Sequence, residues 1–382
     1  MRGLPRTFWW LWTGALVNAL ASFVFPFLTL YLTSRGLTAA QAGLLLSLFG
    51  AGTLVAGPVG GFISDRYGRR PALLLTLFGT ALAAVELGLV RETWLIAPGV
   101  LVFGMAAAIG NPALNAMVAD VLPDADRERG FGLIYWAVNL GIGFSALVGG
   151  MLASKSWLGL FLADACTSML FAAVVWRRLP ETRPAQHEGS ERGFATVLAD
   201  RPFTIFLAFN LLLLLVFWQF QFALPIAMTR AGLSAVEYGH ALALNCGLII
   251  CVQPLAAKAA ARLGRPRAMA LASLLFGLGY GAYGLCTREL HYLLATAVWS
   301  TGEVLYLPTA AALVSELSPP DLRGRYQAAA GLCFSLAMAL APIISGSVID
   351  RLGLRTLWLG CLGVGALAAL GHFSRRGATV AA

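Results

Sequence analysis

Stretches of about 20 apolar residues recur along this chain, parted by short polar turns. Such a stretch crosses roughly 30 Å of hydrocarbon as a helix, and a soluble core has no comparable use for it. Twelve spans are expected, at 7–32, 41–63, 71–90, 94–118, 130–152, 157–176, 203–228, 237–257, 268–287, 291–314, 324–347 and 355–373. No water reaches that depth, so each backbone polar group must be satisfied inside its own helix. The fold class expected is therefore an all-α membrane protein. Of the 382 residues, 59% are hydrophobic and 12% are charged, about half the charge of a soluble domain. The formal net charge of +9 raises nucleic acid as a partner. The basic residues stand between apolar runs, however, and so point to the lipid bilayer instead.

The first run follows a basic start and carries Trp9, Trp10 and Trp12. It continues to about Tyr31, too long for the apolar part of a secretory leader, and reads as the first span. Cys166, Cys246, Cys251, Cys286, Cys333 and Cys361 all lie in apolar runs without metal-ligand spacing. They read as small buried hydrophobes, and neither a metal nor a cofactor is expected. There is no Walker A sequence, no H-E-x-x-H and no nucleophile elbow, so an enzyme is not expected.

Orientation follows from the 27 Lys and Arg residues. With both termini and the polar segment 177–202 on one side, 20 of them fall on that side and seven on the other. The positive-inside rule makes the richer side cytoplasmic, in a multi-pass protein of the cell membrane. The segment 177–202 would be a cytoplasmic linker between an N-terminal six-helix bundle, 1–176, and a C-terminal one, 203–382.

The two halves read as copies. A shift of 196 residues carries Arg66, Gly68 and Arg69 onto Arg262, Gly264 and Arg265. The same shift carries Pro112, Asp120, Arg127 and Arg129 onto Pro308, Glu316, Arg323 and Arg325. The acid is lost in the second copy, since Asp65 falls on Ala261. A parallel duplication of this kind places a substrate site near the midplane.

With these features the chain resembles the major facilitator superfamily over essentially its full length. Gly61, Asp65, Arg66, Gly68, Arg69 and Arg70 resemble that superfamily's turn between spans two and three. The acid-x6-Arg elements Asp120…Arg127 and Glu316…Arg323 resemble its charge-relay motifs. Y-W-A-V-N-L-G at 135–141 and T-G-E-V-L-Y-L-P at 301–308 are most similar to the drug:proton antiporter branch. The fifth span lacks that branch's proline after Gly141, and the fourth lacks its arginine at 100–104. The resemblance implies two six-helix bundles working by alternating access and driven by a proton gradient, and a monomer is expected. It also implies that Asp65 latches onto the start of the eleventh span, near Arg323–Arg325.

Glu303 is the candidate proton-coupling residue. It lies mid-way along the tenth span, where a charged carboxylate is expensive and function is the default reading. Amides and aromatics within spans are candidates for a substrate cavity: Asn18, Asn111, Asn115, Tyr135, Trp136, Asn139, Gln221, Asn245, Trp299 and Tyr306. Glu86 and Asp164 lie nearer the outer third and read as structural, reaching interfacial water or Arg91. One acid, several amides and no buried arginine suit a neutral or cationic lipophilic compound, since strongly anionic substrates need a fixed positive clamp. The expected function is export of small amphipathic molecules in exchange for protons. Uptake of a neutral solute by proton symport is the alternative, and a non-transporting membrane sensor is a third reading.

Overall fold

The computed structural model describes residues 3–183, 197, 199–319 and 322–374, all as helices and short connections. The helices are α1 (Arg6–Ala19), α2 (Val24–Ser34), α3 (Ala39–Tyr67), α4 (Arg69–Leu89), α5 (Thr93–Val121), α6 (Asp124–Ala153) and α7 (Trp157–Arg178). They continue as α8 (Arg201–Phe217), α9 (Ala223–Arg230), α10 (Ala235–Leu263), α11 (Arg265–Ala282), α12 (Glu289–Leu317), α13 (Arg323–Leu352) and α14 (Leu354–Ser374). The expected linker 177–202 falls mainly outside the described residues.

Among the described residues, eleven stretches are long and apolar enough to cross a membrane. Two of them, Arg6–Ser34 and Arg201–Arg230, are each built from a broken pair of helices. The expected tenth span is α12, whose 29 residues have the length but not the apolarity of the others. Glu289, His291, Glu303 and Glu316 lower it. Several helices also outrun their apolar runs. α3, α5, α10 and α12 have 29 residues each, about 44 Å at 1.5 Å per residue against roughly 30 Å of hydrocarbon. The surplus turns carry the motif charges, so Gly61–Tyr67 is helix and the expected turn shrinks to one residue, Gly68.

The chain forms two compact units. The first comprises Met1–Gly36, Leu44–Glu188 and Ser234–Cys246; the second comprises Leu37–Gly43, Gly189–Leu233 and Gly247–Ala382. In the first, α4 packs on α5 and α7, and α1 packs on α6 and α7. Phe8, Leu11, Leu77, Met117 and Phe171 form its core. In the second, α11 packs on α12 and α14, and α13 packs on α8. Exposed leucines such as Leu82, Leu170, Leu290 and Leu370 point outward, as lipid-facing side chains do.

Helix association in lipid rests on close packing by small residues, because lipid tails are as apolar as leucine. A Cβ on Gly104 of α5 would lie 2.8 Å from Phe49 Cα of α3. In the second unit a Cβ on Gly277 of α11 would lie 3.0 Å from Gly365 Cα of α14. The duplication extends to these contacts. A Cβ on Gly150 would lie 3.0 Å from Val236 Cα in the first unit, and one on Gly346 would lie 2.9 Å from Ala40 Cα in the second. Both residues of one contact are the other's shifted by 196. The start of α3 is thus held in the second unit, and the start of α10 in the first.

Gly104→Leu should drive α3 from α5 and lower stability by about 1–3 kcal/mol. Gly57→Ala, on the same α3 with nothing within 4 Å of the added carbon, should not destabilise. Thermal unfolding of both variants in detergent checks this, and equal losses would remove the packing account.

Candidate functional site

The turn of the first unit is organised by Arg69. α3 ends at Tyr67, Gly68 joins at φ +114°, and α4 starts at Arg69. Only 4% of Arg69 is exposed. Its Nη1 donates to Ser64 O at 2.9 Å and to Asp65 Oδ1 at 3.0 Å, and its Nε donates to Asp120 Oδ2 at 3.2 Å. One guanidinium therefore ties the last turns of α3 and α5 to the first turn of α4. Arg's planar fork of donors suits this; a lysine would supply a single point charge.

The unpaired N–H groups at the start of α4 need an acceptor, and the helix dipole favours an anion there. Glu181 supplies it, accepting from Arg69 N at 2.8 Å and Arg70 N at 3.1 Å. A side chain on Gly68 would collide with that carboxylate and would be strained at this φ. Thr182 Oγ1 donates to Asp120 Oδ2 at 3.0 Å, and Arg183 Nη1 donates to the Arg66 carbonyl at 2.6 Å. Arg70 donates to the Trp176 carbonyl and lies over its ring. Gly61 meets nothing within 4 Å of an added carbon.

These contacts revise several expectations. Asp65, with a side chain 64% exposed, holds Arg69 one turn along instead of a helix start; the capping acid is Glu181. Asp120 does not pair within its own acid-x6-Arg element. Arg127 instead meets Asp124 at 2.6 Å and the Ala119 carbonyl at 3.0 Å. In the second copy, Glu316 pairs with Arg265. Arg69–Asp120 and Arg265–Glu316 are the same pair shifted by 196, so the duplication preserved the contact between helices. Arg323, at the start of α13, is outside that pair.

In the second unit, Glu303 of α12 is 6% exposed. Trp299 and Tyr306, at i−4 and i+3, share its helix face. Both are only 1% exposed, which revises their expected place on an open cavity wall. Trp299 Nε1 donates to Tyr283 Oη at 2.6 Å, and Tyr283 shares a 2.7 Å bond with Thr296. Tyr306 donates to Asn210 Oδ1, and Asn210 Nδ2 reaches Cys333 Sγ at 3.5 Å. Asn210 was not singled out in the sequence. Its signal was that of every other amide within a span. Gln221 and Asn245 are also buried.

The first unit contains a cavity of about 320 Å³ lined by residues of α1, α3, α4, α5 and α7 and of the break between α1 and α2. It brings together Asn18 and Asn111 of the expected set and adds Ser22, Thr76, Thr80, Asp164 and Ser168. Phe25 stacks on Phe49 at 4.1 Å in its wall. Ser168 Oγ donates to Asn18 Oδ1 at 3.2 Å. Asn115, Tyr135 and Trp136 are exposed and do not line it. Asn139 is buried, its Nδ2 donating back to the Tyr135 carbonyl at 2.9 Å. Asp164 reaches neither interfacial water nor Arg91: it is 6% exposed and accepts from two backbone amides.

A family profile described as Major Facilitator Superfamily matches residues 11–342 and 220–379. The chain is 25% identical to the Na(+), Li(+), K(+)/H(+) antiporter of Planococcus maritimus, over 84% of each chain. It is 26% identical to the class C tetracycline resistance protein of Escherichia coli, over 80% of this chain and 79% of that one. A solved POT family transporter bound to 5-aminolevulinic acid superposes with a TM-score of 0.85 at 15% identity, over 99% of this chain and 97% of that one.

Arg69→Ala would leave Asp65 and the Ser64 carbonyl without this donor and Asp120 with Thr182 Oγ1 alone. A loss of about 1–3 kcal/mol is expected, below that of a fully buried pair because both carboxylates keep solvent contact. Arg66→Ala, an exposed change in the same stretch, should stay within about 0.5 kcal/mol. Unfolding midpoints in detergent compare the two, and an equal effect would show that Arg69 is no more than a topology charge.

Proposed function

The chain belongs to the major facilitator superfamily, and from that premise we propose that it is a proton-coupled antiporter exporting small amphipathic compounds, neutral or cationic, across the cell membrane. The observation that carries this reading is Glu303: a carboxyl 6% exposed at the middle of a 29-residue helix. An acid at such depth is costly when charged, and titration there changes the local charge by one unit in a medium that screens it poorly. Relatives named for tetracycline resistance and for alkali-cation/proton antiport support export and exchange as the working mode.

In this reading the proton and the substrate compete for one carboxyl. The deprotonated form offers an anion in a poorly screening medium, and a lipophilic cation that reaches it gains the charge contact. Protonation from the acidic outer side removes the anion, releases the substrate and neutralises the carrier for its return. A carrier that crosses only with substrate or with proton bound exchanges one for the other, because each ligand shifts the same equilibrium by its differential affinity. Arg69 and Arg265 anchor the helix ends that such a cycle would move, each through a carboxylate of the neighbouring helix.

Inverted membrane vesicles give the test. Acidifying the lumen should make wild-type vesicles accumulate tetraphenylphosphonium. Glu303→Gln, which keeps the shape but cannot titrate, should reduce accumulation at least tenfold to the level of vesicles lacking the protein, while retaining expression. Normal accumulation by that variant ends the coupling assignment. Movement of a neutral solute together with the proton would replace export by symport.

A further inference from the structure

The first span is not continuous. α1 ends at Ala19 and α2 begins at Val24. A broken helix inside a membrane leaves backbone groups that only protein or trapped polar groups can satisfy. Here one atom takes two of them: Asp164 Oδ2, from α7, accepts from Phe23 N and Val24 N at 2.9 Å each. Both hydrogen bonds to this side chain fall on Oδ2. Oδ1 is left to the cavity that Asp164 lines.

That cavity has the chemistry of a cation site. Asp164 is its only charged or titratable lining residue, and among the described residues no basic group ion-pairs with it. The remaining polar wall is made of amide and hydroxyl groups, from Asn18, Ser22, Thr76, Asn111 and Ser168. Thr76 Oγ1 is buried without a hydrogen-bond partner. A buried carboxylate without a counter-charge is expensive, and a cation in the same space offsets that cost. Oxygen donors without thiol or imidazole favour hard cations. A single carboxylate, with no cluster of three His, Cys, Asp or Glu among the described residues, matches one positive charge rather than two. Broken helix ends facing a polar cavity are a general way of holding small ions in transporters.

We propose that this cavity binds a monovalent cation, an alkali-metal ion or a small protonated amine, with Asp164 as its anionic ligand. The same carboxylate would then join the bound cation to the break in the first span, one oxygen serving each. The site is peculiar to the first unit: the 196-residue shift puts Gly360 at the position of Asp164 and Val364 at that of Ser168. The inference deepens the antiporter reading by giving a cation a second place besides Glu303. Binding itself does not depend on the direction or the driving force of transport.

The test uses the purified full chain in detergent, with N-methyl-D-glucamine chloride holding ionic strength constant. Sodium, lithium, potassium and methylammonium chlorides are titrated in separate arms, and the unfolding midpoint is followed. At least one should raise the wild-type midpoint, with the logarithm of its concentration above Kd, by about 4 °C at a hundredfold excess. An alkali-metal preference identifies a dehydrated ion, and a methylammonium preference identifies an amine head group. Asp164→Asn keeps an oxygen for the Phe23 and Val24 amides but removes the charge, and should abolish the shift. Should that variant fold poorly, Thr76→Val, which leaves the carboxylate and its cap in place, decides the matter by weakening the shift's Kd about tenfold. No cation-specific shift in wild type, or an unchanged shift in both variants, overturns the site. Loss of proton-driven transport as the assigned mode, with this binding intact, would instead overturn only the antiporter reading.

Discussion

A buried guanidinium at the end of three helices is the contact on which the first unit depends. Arg69 donates to Ser64 O, Asp65 and Asp120 while its own amide is capped by Glu181. α3 and α4 are joined by one residue, Gly68, so without this cluster nothing but lipid packing would fix their angle. Packing in lipid is weakly directional, since helix faces and acyl chains are equally apolar. A charged network at the helix ends supplies the direction. Arg69 is buried while its carboxylate partners keep solvent contact, which lowers the cost of placing these charges together.

Much of this was legible in the chain, for a physical reason. The bilayer imposes one length and one polarity on each span, so eleven of the twelve expected spans appear with the required apolarity, and the twelfth appears as the long helix α12. The shift of 196, readable in the chain, also relates Arg69–Asp120 to Arg265–Glu316. Helix ends were less legible. Hydropathy falls where the membrane ends, whereas a helix stops where its hydrogen-bond ladder stops, and Tyr67 lies a turn beyond Ile63. Partners were less legible still. Asp120 and Arg127 sit at a spacing suggesting a relay, yet Asp120 faces across to α4 while Arg127 reaches Asp124 on its own helix.

Side-chain direction decided the remaining differences. Within a span every amide or aromatic residue has the same composition signal whether it packs or faces a cavity. Trp299 and Tyr306 flank Glu303 in sequence and are buried in polar contacts with Tyr283 and Asn210. Asn18 and Asn111 do line a cavity, whereas Asn139 folds back on its own helix. Asp164 was the least readable. Its position in the outer third of a span suggests an interfacial acid, and only the break between α1 and α2 gives it two backbone donors and a polar chamber.

Glu303 and Asp164 are not copies of one another. Shifted back by 196, Glu303 falls on Ala107, which lines the first unit's cavity. Shifted forward, Asp164 falls on Gly360. They therefore stand on helices that are not equivalent, Glu303 on α12 and Asp164 on α7. Two titratable groups at equivalent positions would meet similar surroundings and titrate alike. At different positions they meet different neighbours: Glu303 shares a face with two buried aromatics, and Asp164 caps a helix start. The duplicated frame, which keeps Arg69–Asp120 and Arg265–Glu316 as equivalent pairs, thus carries different chemistry in its two halves.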